Sequence, residues 1–101
     1  MASRVRGEME IMRDLLKSCA PSWIPKTRAA SRIDFNPGDV SRYIRAMARA
    51  GLLDVREVTI HGKPATLVKT SPLGLEVCKR SDPAFADYDM ARQYLAEEKQ
   101  Q

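Results

Sequence analysis

The sequence predicts a mostly helical α+β fold: a helical domain with one small β-hairpin and an extra C-terminal helix. Three observations predict it. Apolar residues recur at steps of three and four over 4–19 and again over 37–50, the period of an amphipathic helix. Two β-branched runs, 55–60 and 65–70, flank the turn-forming residues His61-Gly62-Lys63-Pro64. Ser71-Pro72 and Asp82-Pro83 each pair a capping residue with a proline, the usual opening of a helix.

In the first helix Val5, Met9, Met12, Leu16 and Cys19 form one stripe, and Gly7 pushes its start toward residue 7. Pro21 and Pro25 end it, and Trp23-Ile24 between them suits a two-residue bridge at a sheet edge. A short second helix, 27–33, is expected with Thr27 as its cap and Ala29, Ala30 and Ile33 inward. Asp34 then turns the chain, in a left-handed conformation that aspartate tolerates.

The third helix, 37–50, has the clearest signals. Asn36 is its N-cap, Pro37 its first residue and Gly51 its C′ residue. Val40, Ile44 and Met47 share one face, and Arg42, Arg45 and Arg49 share a nearly opposite one. The arginine flank is therefore expected to stand free of the molecule's own carboxylates. The hairpin adds Arg56, Lys63 and Lys69. A fourth helix runs from Ser71-Pro72 to about Arg80, and a last one covers 83–98 with an apolar stripe of Phe85, Tyr88, Ala91, Tyr94 and Leu95.

Length and charge bound the function. The chain has 101 residues, 44% hydrophobic and 30% charged, and a net charge of +4. One core, and not a multi-domain enzyme, fits that length. Residues 1–80 carry fifteen basic against eight acidic residues; residues 81–101 carry two against five. A basic body suits a polyanion, and an acidic tail helix suggests a second surface with another task. No apolar run is long enough to span a membrane, and no secretory leader is seen after Met1, so a cytoplasmic protein is expected. Cys19, Cys78 and His61 are too scattered for a metal site, so two reduced thiols and no cofactor are expected. One histidine and no phosphate-binding glycine loop or paired catalytic carboxylates argue against an enzyme.

Several spaced features resemble the winged helix–turn–helix transcription regulators of the MarR, PadR and ArsR type. Thr27-Arg28-Ala29-Ala30-Ser31-Arg32-Ile33 is similar to the first helix of the pair. Val40-Ser41-Arg42-Tyr43-Ile44-Arg45-Ala46-Met47, ending in Ala50-Gly51-Leu52-Leu53, resembles the recognition helix and its exit. Thr70-Ser71-Pro72-Leu73-Gly74 is similar to the segment after the wing. The chain departs from the pattern at Asp34-Phe35, where a glycine is usual, and at the proline-rich Pro21–Pro25.

The resemblance implies a winged helix–turn–helix domain over 1–80, with 81–101 as a C-terminal dimerisation element. It implies a homodimer on double-stranded DNA, with the helix 37–50 in the major groove. Gly38, Ser41, Arg42 and Arg45 would lie near base edges; Arg49 and Thr27 or Arg28 would face phosphates; Arg56, His61, Gly62 and Lys63 would lie on the wing. Arginine chemistry supports this independently, because its fork matches guanine O6 and N7 as well as phosphate. The C-terminal stripe has two readings: a dimerisation surface comprising Met9, Met12, Phe85, Tyr88, Ala91 and Leu95, which is preferred, or packing on the domain's own first helix. The alternative is a winged-helix interaction module that docks on an acidic protein without specific DNA binding.

Overall fold

A computed structural model describes residues 7–20, 22–80 and 85–99. The elements are α1 (Glu8–Ser18), β1 (Ile24–Pro25), α2 (Lys26–Arg32), α3 (Pro37–Arg49), β2 (Leu53–Ile60), β3 (Lys63–Thr70), α4 (Pro72–Lys79), a 3-10 turn (Phe85–Tyr88) and α5 (Asp89–Lys99). The strands form one antiparallel sheet in the order β1-β3-β2. This is the expected α+β winged helix–turn–helix architecture with an added C-terminal helix.

Local chemistry explains most boundaries. The Asn36 side chain accepts from the Gly38 amide at 2.8 Å and the Asp39 amide at 3.3 Å, so α3 starts where its cap stands. At the other end Gly51 has φ +83°, and the amides of Gly51 and Leu52 donate to Ala48 and Met47 carbonyls, a Schellman closure. Asp34 is left-handed at φ 54°, as its place between two helices requires.

The motif after the wing has three jobs. Thr70 Oγ1 donates to the Leu16 carbonyl at 2.7 Å inside the core. Ser71 Oγ accepts from the Gly74 amide at 3.0 Å and so caps α4. Gly74 packs so closely that a Cβ there would lie 2.2 Å from the Leu52 carbonyl oxygen. Together these tie α4 to α1 and to the chain leaving α3.

Several expectations are corrected. Thr27 does not cap α2: the chain passes from β1 straight into the helix, Pro25 takes the N-cap place, and no side chain bonds there. β1 lies one residue later than expected, pairing Ile24 with Val68 and Pro25 with Leu67. The hairpin turn is two residues, not four. His61 (φ 51°) and Gly62 (φ 77°) are both left-handed, which matches the twist of the strands, and Lys63 and Pro64 belong to β3, where they pair with Ile60 and Thr59 of β2. The final helix starts later than expected, because 85–88 wind as a 3-10 turn; Pro21 and Asp82-Pro83 lie outside the described residues.

The core joins every helix. Met12, Leu15 and Leu16 of α1, Ala29 and Ala30 of α2, and Val40, Ile44 and Met47 of α3 are buried with Val68, Tyr88, Ala91 and Leu95. The two alanines let α3 approach α2 closely. Met12, Tyr88, Ala91 and Leu95, expected on a dimerisation face, are buried within the chain's own core at no more than 1% exposure. The reason is that α5 lies against α3, so its apolar stripe is covered without a second copy. The boundary expected at residue 80 therefore does not divide the core. Met9 is half-buried against that core, and the Phe85 side chain lies outside the described residues.

Candidate nucleic-acid interface

The outer side of α3, the hairpin face toward it and the end of α5 enclose a groove of about 370 Å³. Ser41, Arg45 and Arg49 come from α3, Val55, Glu57 and Thr66 from the hairpin, Lys26 from α2 and Glu98 from α5. Strand alternation explains the hairpin's share: Glu57 pairs with Thr66 and Val55 with Val68, all on the face toward the helices.

The three arginines share this outer region, as expected, and their side chains are 45–56% exposed. They are not free of carboxylates, which corrects the expectation of a free flank. Arg42 lies 3.3 Å from Asp39 one turn earlier on the same helix. Arg45 Nε donates to Glu98 Oε1 at 2.5 Å. Arg49 donates to Glu97 Oε1 at 3.5 Å, and its guanidinium lies 4.0 Å from the centre of the Tyr94 ring. For Arg45 and Arg49 the cause is the docking of α5, which brings its acidic last turn beside α3. Lys26, Arg42, Arg45 and Arg49 thus share the region with Asp39, Glu57, Glu97 and Glu98.

The other expected contacts divide by position. Thr27 and Arg28 lie at the start of α2, Thr27 and Arg28 both toward solvent. Gly38 is exposed, and its amide donates to the Asn36 side chain that caps the helix. Ser41 Oγ donates to the Pro37 carbonyl at 3.1 Å. His61, Gly62 and Lys63 form an exposed hairpin tip. Arg56 faces away from the groove and lies over the Trp23 ring at 4.7 Å. Lys26, Glu97 and Glu98 were not foreseen at the site. The acidic end of the tail helix was the available signal, but which surface it would meet is a long-range property.

A second set of charges fixes the end of α5. Lys99 Nζ donates to Glu8 Oε2 at 3.0 Å and lies 5.7 Å from the Tyr43 ring centre; Arg92 donates to Glu8 Oε1 at 3.3 Å. Partial burial raises the Glu8 pKa, but hydrogen bonds and charge from Lys99 and Arg92 outweigh it, leaving the carboxyl below its usual value. The Glu8 hydrogen bond, opposed in part by burial, raises the Lys99 pKa. Cys19 is fully buried, and that burial pushes its thiol up to about 11 against the opposing charge of Arg32, so it is a poor nucleophile at neutral pH.

The fold is similar to that of one solved structure in particular. A solved structure of a transcriptional regulator homologue from Pyrococcus horikoshii OT3 matches with a TM-score of 0.52 and 25% identity, over 92% of this chain and 76% of that one. No protein-family model and no curated protein matches the sequence. Among the described residues no helix is long and apolar enough to cross a membrane.

Proposed function

We propose that the chain is a double-stranded DNA-binding transcription regulator, of the MarR, PadR and ArsR type its motifs resemble. α3 lies in the major groove and the hairpin tip steadies it against the backbone. One observation carries the reading: α3 is held inward by Val40, Ile44 and Met47, while Arg42 and Arg45 lie half-exposed on its outer side beside a hairpin tipped by His61, Gly62 and Lys63. A major groove about 12 Å wide admits one such helix. The likeness to a transcriptional regulator homologue supports the same reading.

In this reading Arg42 and Arg45 read base edges with Ser41 and Gly38 close to the groove floor. Arg49, Thr27, Arg28 and Lys26 meet phosphates. Two copies on half-sites about one helical turn apart belong to the proposal as an expectation of stoichiometry. Their contact would need surfaces other than Tyr88, Ala91 and Leu95, which the chain already buries.

The test is selection of bound duplexes, followed by titration of Arg42→Ala and Arg45→Ala on the selected site. Each change should cost about 1–3 kcal/mol and relax base preference. Undiminished binding by both variants would remove α3 from the groove. A second reading, docking of an acidic protein on the same face, is favoured by one observation: a segment of the chain itself, Glu97-Glu98, already sits on Arg45 and Arg49. Failure to bind any duplex, even at low salt, would favour it.

A further inference from the structure

We infer that the last turn of α5 is an internal competitor for DNA: Glu97 and Glu98 occupy the guanidinium groups of Arg49 and Arg45 and give way when phosphates arrive. The inference rests on the DNA-binding reading above and adds a regulation of that same face.

The attachment of α5 changes in kind along its length. Leu95 and Ala91 are buried and anchor the first two turns of α5 to the core. Beyond Leu95 the attachments are polar: Glu98 to Arg45, Glu97 to Arg49, and Lys99 to Glu8 and over the Tyr43 ring. Arg49 and Glu97 are both exposed, and Arg45 is exposed although Glu98 is only 12% so; ion pairs open to solvent on at least one side are individually weak and are screened by salt. The turn therefore can leave α3 without unfolding the helix that carries it.

The geometry makes the competition direct. A guanidinium bound through Nε to a carboxylate, as Arg45 is to Glu98, presents to that carboxylate a donor edge that a phosphate or a guanine would use. A duplex carries about one negative charge per 1.7 Å of axis. Such a polyanion both displaces two carboxylates and repels them. While the turn stays docked, it weakens binding to DNA of any sequence and leaves the exposed Arg28 and the hairpin-tip Lys63 as cations that it does not cover.

Fluorescence anisotropy with a random-sequence duplex, over a series of salt concentrations, tests this on the full chain. The isosteric pair Glu97→Gln and Glu98→Gln together should bind about tenfold tighter at low salt. The gain should shrink as salt rises, because salt screens the Arg45–Glu98 and Arg49–Glu97 pairs that the wild type must break on binding. The same pair in an Arg45→Ala, Arg49→Ala background should gain about twofold or less, because no masked guanidinium remains. An equal gain there would show a general loss of negative charge and overturn the masking. Wild-type binding with no gain, or with a loss, in the first variant would also overturn the inference while leaving the DNA-binding reading intact. Absence of duplex binding by every version would overturn that reading, and the inference with it.

Discussion

The two ends of α5 are held by different physics. Its first two turns bury Ala91 and Leu95, with Tyr88 just before them, inside the same core as α1 and α3. Its last turn lies on α1 and α3 through Glu97, Glu98 and Lys99, whose partners are all charged or aromatic side chains near the surface. Apolar burial is insensitive to salt and moderate pH, whereas exposed ion pairs respond to both. One helix can therefore be a permanent part of the fold at its root and a responsive cover at its tip.

Substitution at the root should produce the largest effect. Leu95→Ala removes a fully buried side chain and should lower stability by about 2–5 kcal/mol, read as a shift in the urea midpoint. A change below about 1 kcal/mol would mean that α5 is not integral to the core, and the contrast would fail. At the tip, Glu97→Gln with Glu98→Gln should leave the urea midpoint within about 1 kcal/mol of wild type while altering DNA affinity.

Acidification should act between these extremes. The Glu8 carboxyl is depressed in the folded protein, so its contribution is present at neutral pH, above the unfolded-state value, and is lost as pH falls through the lowered folded value. Acid should therefore loosen the α5 tip from α1 before the core opens, seen as faster amide exchange in residues 96–99 than in 91–95. Glu8→Gln should reproduce this at neutral pH, with the smallest cost in stability, under about 1 kcal/mol. Uniform exchange along α5 under either condition would erase the distinction between root and tip.

Features that depend on neighbours in the chain were legible in the sequence. Asn36-Pro37, Ser71-Pro72 and the closure at Gly51 set helix ends through local hydrogen bonds, and those boundaries stand where the residue types put them. The hairpin turn was less legible because His61, not an asparagine or aspartate, adopts the left-handed position before Gly62. The stripe of Tyr88, Ala91 and Leu95 was visible as apolar, but helical periodicity does not say whether such a stripe meets its own core or another copy. The arginine stripe was visible on the same terms, and so was the acidic tail. Their meeting was not, because it depends on how α5 crosses α3, far along the chain (Arg45 and Glu98 are 53 residues apart).

The most direct measurement tracks the arginine side-chain Nε–H signals by NMR during titration with duplex DNA. Binding through α3 predicts that Arg42, Arg45 and Arg49 shift together, with Arg45 leaving its Glu98 partner, while Arg32, bonded to the Ser18 carbonyl, and Arg80, bonded to Asp87, stay in place. Shifts confined to Arg32 or Arg80, with the α3 arginines unmoved at saturating DNA, would contradict the assignment of that face.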